Sequence, residues 1–330
     1  MAYRMVWRDR DWRDEAIAWA ERRLAERGRR VSGKAEQIHV VPWSTVLRIP
    51  TDRGAVYFKA TWPPQRHEAA ITEALARWAP DQGTAVLALD RRRGWLLAED
   101  AGPRLREVLA KDRDIRRWHA VLPRYAELQL KTAPHVSELL KLDVPDRRAD
   151  ALAMSYERLL KERSLMRIGL KEGLSAVQHE RLRGMVPQVR EWAMAISAAI
   201  PATIQHDDLH DGQVFVRDGH YRILDWGDAC VSHPFYSLSV ILRSIAYTFK
   251  LGHDAPELAH VRDAYLEPFT RIATRKQIRA AYPVAARLGW ISRALSWALV
   301  VENLPPASKR KERGSVPRSL QRFLEATASA

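Results

Sequence analysis

The chain has 330 residues and a mass of 37.8 kDa, a size that fits two lobes or domains. Hydrophobic residues make up 46% of the chain and charged residues 28%, which excludes a disordered protein. No apolar run approaches the roughly 18 residues that a membrane helix needs. Residues 1–15 are rich in Arg and Asp, so we expect no signal peptide. The single cysteine, Cys230, excludes an internal disulfide and a multi-thiolate zinc site. We therefore expect a soluble, cytoplasmic protein without a membrane partner.

The charge balance is strongly positive, with a formal net charge of +14 and a pI of about 10.1. Such a balance is typical of some nucleic-acid-binding proteins. Here, however, the basic residues are scattered among acids along predicted helices. The sequence has no zinc-finger spacing, no long basic tail and no aromatic and basic run typical of a single-strand-binding face. We therefore expect no specific nucleic-acid partner, and a nucleic-acid binder is kept only as an alternative.

The N-terminal third of the chain predicts a helix, three strands, a second helix and two further strands. Asp52-Arg53-Gly54 is a hairpin signal between the second and third strands. Pro63 and Pro64 open the second helix, and Pro80 closes it. The predicted elements are residues 12–27, 37–41, 46–49, 55–60, 63–78, 85–89 and 94–98.

The rest of the chain is predicted to be mainly helical, with one small group of strands. The predicted helices cover residues 115–130, 147–162, 176–199, 236–249, 257–270, 276–301 and 319–326. The predicted strands cover residues 202–204, 214–216 and 221–224, with a turn at Asp218-Gly219. We expect the tail after Leu304 to be loosely packed until its final helix. The pattern predicts an α+β protein with a β-rich N-lobe over residues 1–98 and a larger, mainly helical C-lobe over residues 99–330.

The most informative stretch begins at His206 and continues through a predicted hairpin to Asp225. Phosphoryl transfer from a nucleotide needs a carboxylate to orient the acceptor hydroxyl, and carboxylate and amide oxygens to hold the metal ions. Asp208 suits the first role, whereas Gln213 and Asp225 suit the second. Because a hairpin separates the two segments, we expect them to emerge on one side of a small sheet.

These residues resemble the aminoglycoside phosphotransferase and choline kinase family, which has a two-lobed protein-kinase-like fold. The family's catalytic loop typically reads His-Gly-Asp-Leu-His-x-x-Asn, and its metal loop reads Asp-Trp/Phe-Gly or a close variant. This chain matches at His206, Asp208, Leu209, His210 and then at Asp225-Trp226-Gly227. It departs in two places, with Asp207 at the glycine position and Gln213 at the asparagine position.

The N-terminal strands and helix match the same family in order. The resemblance implies that Lys59, at the end of the third strand, contacts the nucleotide phosphates. It implies that Glu68 pairs with this lysine, with Glu73 as the less favoured partner. The remaining nucleotide-binding positions implied by the resemblance are Glu99 and Ala101 in the hinge after the fifth strand, and Ser44 and Thr45 at the turn that replaces a glycine-rich loop.

Acidic and aromatic residues suggest where an acceptor binds. Asp207, Asp211 and Asp228 are interpreted either as substrate-side acids or as ordinary turn residues. In related kinases the C-terminal helices form the wall of the acceptor pocket, which makes Trp290 and Glu302 candidates there. Trp290 and Trp297 share one helix face, with Arg293 between them, and could equally form part of the core. His206 and His210 are predicted to brace the catalytic loop.

The resemblance implies an ATP-dependent kinase with a magnesium ion, and GTP and manganese are the alternatives. The implied acceptor is a hydroxyl of a small molecule such as an aminoglycoside-like antibiotic, an amino alcohol or a sugar, and antibiotic resistance is one role of the family. The acid-rich loop favours a polyamine-bearing sugar. Because of Asp207 and Gln213, a nucleotide-binding pseudokinase or regulatory module remains the alternative from a different functional class.

Overall fold

The computed structural model describes residues 4–252 and 254–328, which form two compact units. The first unit comprises the chain up to Pro103 together with Phe215–Gly227 and Glu302–Lys309. The second comprises Arg104–Val214, Asp228–Val301 and the residues from Arg310 onward. The sequence predicted a single boundary after residue 98, whereas the first unit also takes in two later segments.

The first unit contains a five-stranded antiparallel sheet with strand order β1-β2-β3-β5-β4. The predicted order of helix, three strands, helix and two strands is confirmed. The elements are α1 (Arg10–Ala25), β1 (Glu36–Val41), β2 (Ser44–Thr51), β3 (Gly54–Thr61), α2 (His67–Trp78), β4 (Val86–Asp90) and β5 (Trp95–Glu99).

The two faces of the central strand β3 have different environments. Phe58 is fully buried, and its ring packs edge-on against Trp19 of α1 and Trp95 of β5 at centroid distances of 5.8 and 5.4 Å. Successive side chains of a strand point to opposite faces. Lys59 therefore points away from this aromatic core, and β2 and β5 flank it with Val46 and Leu96. The alternation of β3 thus directs one lysine to the sheet face opposite α1.

The remainder of the chain is mainly helical. In chain order it contains α3 (Leu105–Asp112), α4 (Arg117–Thr132), α5 (Val136–Lys141), α6 (Ala149–Lys161), α7 (Arg163–Met166), α8 (Ala176–Gly184), α9 (Val186–Ser197), β6 (Thr203–Gln205), β7 (Val214–Arg217), β8 (His220–Ile223), β9 (Cys230–Ser232), α10 (Leu238–Phe249), α11 (Pro256–Leu266), α12 (Arg275–Asn303), α13 (Pro306–Glu312) and α14 (Ser315–Ala328). This α+β architecture, a small antiparallel sheet followed by a larger helical part, agrees with the predicted fold class.

The predicted group of short strands forms two separate pairs. Strands β7 and β8 make a hairpin whose turn residues, Asp218 and Gly219, have φ values of 51° and 75°. Left-handed conformations at both turn positions match the twist of a two-residue hairpin. Strand β6 pairs instead with β9, which the sequence did not predict. The loop that starts at His206 therefore follows directly on a buried strand.

Three helical predictions need correction. The predicted helix over residues 176–199 is two helices that meet at Met185, because Pro187 can occupy only the first turn of a helix. Helices α3, α5 and α7 were not predicted. The tail is helical from Pro306 and again from Ser315, and α14 buries Val316, Leu320 and Phe323. Their spacing places these side chains on one helix face.

Among the described residues, one helix is long and apolar enough to cross a membrane by length and composition alone. It is α12, with a mean hydropathy of 1.3 over its most apolar window, 61% of which is buried inside the protein. At Gly289 a Cβ atom would overlap the Ser239 hydroxyl and the Tyr236 carbonyl oxygen. Helix α12 therefore packs closely against the start of α10.

Candidate active site

In the first unit, Lys59 lies between two carboxylates. Its Nζ donates to Oε1 of Glu68 at 2.5 Å and to Oδ1 of Asp225 at 2.5 Å. The Lys59 side chain is 17% exposed, that of Glu68 is 3% exposed and that of Asp225 is 45% exposed. Glu73 instead pairs with Arg91 on the surface, so Glu68 is the partner of Lys59. Three residues that the sequence singled out separately thus form one cluster.

The electrostatics of this cluster are dominated by burial and by the shared cation. Burial by itself lowers the pKa of Lys59, but the charges of Asp225 and Glu68 raise it above its ordinary value. Burial raises the pKa of Glu68, and the nearby Asp225 charge adds to this effect, while Lys59 opposes it. Thr61 donates to the second oxygen of Glu68 at 2.9 Å. The lysine is therefore held fully charged at a fixed position.

The loop that follows β8 holds Asp225 in an uncommon backbone conformation. Asp225 has a φ of 69°, in the left-handed region, where aspartate is tolerated better than most residues. The next residue, Trp226, is buried, and its indole N–H donates to the Ile223 carbonyl oxygen at 2.9 Å. His67 of α2 bonds the Gly227 carbonyl oxygen at 3.0 Å. These contacts fix the direction of the Asp225 carboxylate.

The predicted hinge after β5 presents a backbone edge. The Glu99 side chain is bound by Arg29 at 2.6 Å, while Asp100 accepts from the Gly102 N–H at 2.9 Å. Gly102 has a φ of 95°, and a Cβ atom there would overlap the Val216 carbonyl oxygen. Ala101 lies between Asp100 and Gly102, and its backbone N–H and carbonyl groups bond to no described residue. A bound adenine ring could form hydrogen bonds with backbone donor and acceptor groups of this kind.

The turn between β1 and β2 is tight and contains no glycine-rich loop. Thr45 is fully buried, and its hydroxyl donates to the His39 carbonyl oxygen at 2.8 Å and accepts from Gln37 at 2.9 Å. Ser44 is 6% exposed and pairs with Val41 across the turn. The Thr45 hydroxyl is thus committed to the sheet, which disfavours the phosphate contact predicted for it.

In the second unit, Asp208 is held by an arginine from α12. Nη2 of Arg293 lies 2.9 Å from Oδ1 of Asp208, and Nη1 of the same guanidinium donates to Oδ2 of Asp228 at 2.6 Å. The Arg293 side chain is 9% exposed and Asp208 is 27% exposed. The structure thus brings together Asp208 and Asp228, through a residue that was noted in the sequence but given no role.

Asp207 is buried and serves the loop itself. Its carboxylate accepts from Gln205, Ser292, Ser296 and Arg147 at distances of 2.5 to 3.0 Å. Its φ is 63°, in the left-handed region that glycine adopts more readily than other residues. With a side chain only 1% exposed, Asp207 is placed to support the loop rather than to contact an acceptor.

The other side of the loop is held in a similar way. Arg106 of α3 pairs with Asp211 at 3.0 Å, and Nδ1 of His210 accepts from the Gly212 N–H at 2.9 Å. Nδ1 of His206 accepts from the Asp208 N–H at 3.3 Å. The prediction that the two histidines brace the loop is confirmed. Because Asp207, Asp208, Asp211 and Asp228 all have arginine partners, the sequence argument for a polyamine acceptor loses its basis.

The two tryptophans of α12, Trp290 and Trp297, contact different arginines. The Trp297 ring lies beneath the Arg293 guanidinium at 5.0 Å, whereas the Trp290 ring lies beneath Arg322 of α14 at 5.1 Å. Trp297 is therefore next to the arginine that binds Asp208, and Trp290 contacts the C-terminal helix α14. Glu302 is exposed and belongs to the first unit, where its carbonyl oxygen accepts from Lys309.

The candidate metal ligands supply the oxygen atoms that magnesium prefers. Asp225 presents a partly exposed carboxylate, and the side-chain amide of Gln213 bonds to no described residue. Among residues 4–252 and 254–328, no three His, Cys, Asp or Glu side chains form a complete metal cluster. Magnesium typically uses one or two protein groups together with substrate phosphates, and the Asp225 carboxylate is an oxygen ligand of that kind.

Sequence reasoning assigned no role to Arg293, Arg147, Arg106 or His67. The first three are arginines in a chain with 54 Lys and Arg residues, so residue type alone carried no signal. For Arg293, its place between Trp290 and Trp297 was noticed, and a buried cation beside an aromatic residue was the available clue. His67 directly precedes Glu68, but nothing in the pattern pointed to Gly227.

Solved structures of small-molecule kinases share this fold. A choline kinase from Cryptosporidium parvum superposes with a TM-score of 0.58 at 12% identity, covering 90% of this chain and 89% of that one. The GDP complex of an aminoglycoside 2′-phosphotransferase gives a TM-score of 0.58 at 10% identity, covering 95% and 98%. An amicoumacin kinase in complex with AMP-PNP and Ca²⁺ gives 0.56 at 13% identity, covering 95% and 94%.

No protein-family model and no curated protein matches the sequence. The similarity to the solved structures nevertheless establishes the fold, which is the protein-kinase-like fold shared by choline kinases and antibiotic phosphotransferases. The family resemblance predicted from the motifs is confirmed at that level.

Proposed function

We propose that this protein is a small-molecule kinase that transfers the γ-phosphoryl group of ATP to a hydroxyl of its acceptor. The observation that carries the proposal is the contact of Lys59 with both Glu68 and Asp225 at 2.5 Å. Phosphoryl transfer depends on positioning and on neutralising phosphate charge, and a buried lysine fixed between carboxylates is suited to that task.

In the proposed reaction, the acceptor oxygen forms a bond to the γ-phosphorus while the bond from that phosphorus to the bridging oxygen breaks. ADP leaves, and the hydroxyl proton passes to the carboxylate of Asp208. Lys59 binds the phosphates, and the backbone of Glu99 and Ala101 binds the adenine edge. Gln213 and Asp225 would hold a magnesium ion, which would neutralise phosphate charge when bound.

The nucleotide is proposed to be ATP because one protein of this fold was solved with AMP-PNP. GTP is the alternative, since another was solved with GDP. The proposed acceptor is a small molecule with a free hydroxyl group. Because Asp207, Asp208, Asp211 and Asp228 each have an arginine partner, they give no preference for an aminoglycoside-like compound over an amino alcohol or a sugar.

A mass-spectrometric screen tests this proposal. The protein is incubated with magnesium and ATP or GTP, and with a panel of aminoglycosides, macrolides, choline, ethanolamine and sugars. We expect one acceptor class to gain a phosphate group, with no product from Asp208→Asn. Nucleotide binding without turnover on any acceptor or on water would instead favour the regulatory module, for which the replacements at Asp207 and Gln213 are the motivation.

A further inference from the structure

The guanidinium of Arg293 joins two carboxylates of the second unit. One of its nitrogens contacts Asp208 at 2.9 Å and the other contacts Asp228 at 2.6 Å. In the sequence Asp208 belongs to the catalytic loop, and Asp228 directly follows the Asp225-Trp226-Gly227 segment. A planar, five-donor guanidinium can bond two acceptors in fixed directions, whereas a lysine ammonium acts as a point charge.

Several contacts hold this guanidinium in place. Its side chain is 9% exposed, and its Cζ atom lies 5.0 Å from the centre of the Trp297 ring, four residues further along α12. Ser292 and Ser296, which are also four residues apart on α12, both donate to the Asp207 carboxylate. Residues i and i+4 share a helix face. Arg293, Ser292 and Ser296 therefore attach α12 to two consecutive residues of the loop, Asp207 and Asp208.

We infer that Arg293 is a positioning residue that holds Asp208 in its reactive orientation, with Asp228 as the second anchor of the guanidinium. The inference rests on the proposed function, in which Asp208 receives the acceptor proton. Positioning matters because a misplacement of about 1 Å can lower a rate about 10²-fold. The guanidinium charge also offsets the repulsion between the two carboxylates that it bridges.

The test uses magnesium-ATP with water as the acceptor, so that no acceptor has to be known. Arg293→Gln is expected to lower kcat for ADP release about 10²-fold while the nucleotide KM changes less than about twofold. The kcat of Arg293→Lys is expected to lie between those of the wild type and Arg293→Gln. Millimolar guanidinium is expected to restore part of the activity of Arg293→Ala, which a loss of folding would not allow.

Arg287→Gln is the matched control. Arg287 is on the same helix and stacks on Trp192 at 5.4 Å, but no described catalytic-loop residue contacts it. We expect its kcat to equal that of the wild type. Wild-type kcat in Arg293→Gln, or equal losses in Arg293→Gln and Arg287→Gln, would overturn the inference.

A second readout needs no catalysis. Thermal unfolding of Arg293→Gln, Asp208→Asn and the double variant is expected to give losses in Tm that do not add, since groups in contact are coupled. Additive losses would overturn the inference. If the wild type neither binds nor hydrolyses nucleotide, the proposed function fails, and the Tm cycle still decides whether Arg293 holds Asp208.

Discussion

The ammonium of Lys59 contacts the carboxylate of Asp225 at 2.5 Å, although the two residues are 166 positions apart in the chain. The contact joins the central strand of the sheet to the loop after β8, and both belong to one compact unit. Glu68 holds the same ammonium from the other side. A cation fixed by carboxylates from a helix and from a distant loop is prepared for an anionic ligand such as a phosphate group.

Lys59→Met is expected to weaken nucleotide affinity about 10- to 100-fold, the range for loss of a hydrogen bond to a charged group. It also leaves Glu68 buried without its cation, so Tm should fall as well. Isothermal calorimetry with magnesium-ATP measures the first effect. Lys34→Met, at an exposed lysine of the same unit, is the control and should change neither quantity. An unchanged dissociation constant for Lys59→Met would contradict its assignment.

Asp207→Ala is expected to destabilise the protein by about 3–5 kcal/mol, because it leaves the buried guanidinium of Arg147 without its carboxylate. Ser296→Ala removes one hydrogen bond to Asp207 and should have an effect of about 1 kcal/mol. Chemical denaturation measures both changes. A stable Asp207→Ala variant with a raised acceptor KM would show instead that Asp207 contacts the substrate.

His233 is expected to make the fold sensitive to acid. Burial lowers the pKa of His233 to about 3, and its Nδ1 accepts from the Phe235 N–H. In the unfolded chain His233 binds a proton near its ordinary pKa of 6.5, whereas in the folded protein it stays neutral at that pH. The contribution of neutral His233 to the free energy of unfolding is therefore fully present above about pH 6.5. Stability is then lost as the pH falls from 6.5 towards 3, by up to about 1.36 kcal/mol per pH unit.

The variant His233→Asn checks this pH dependence. Asparagine can still accept the Phe235 N–H as a helix cap, but it does not titrate. The free energy of unfolding of the variant should therefore depend less steeply on pH between about 6.5 and 4. Parallel slopes for wild type and variant would show that His233 does not contribute to acid unfolding.

Gln213 is expected to shift the metal preference. Its amide oxygen lies one methylene further from the backbone than that of asparagine, and magnesium demands near-ideal octahedral geometry. We predict a manganese-to-magnesium activity ratio above one, and Gln213→Asn should move the ratio towards magnesium. Initial rates over a titration of each metal give this ratio. If Gln213→Ala keeps full activity with both metals, Gln213 is not a ligand.

The order of strands and the positions of Lys59, Glu68 and Asp225 could be predicted because each belongs to a short local pattern. The partners of the loop acids could not. Arg147, Arg106 and Arg293 meet Asp207, Asp211 and Asp208 across 60 residues or more, and arginine is common throughout the chain. The break at Met185 was missed because its periodic apolar pattern continues past Pro187. Helix α13 and the first residues of α14 were missed because turn-forming residues such as Pro305 and Pro306 suggested a loose tail before the predicted final helix.

The most direct test of the kinase assignment compares ADP release by wild type and Asp208→Asn at saturating magnesium-ATP, with nucleotide occupancy measured in parallel. The substitution keeps the shape of the side chain and removes the charge that accepts the proton. We predict equal nucleotide occupancy and a rate about 10²- to 10⁴-fold lower in the variant, the usual contribution of a general base. Equal occupancy with a rate within a few-fold of wild type would contradict the assignment.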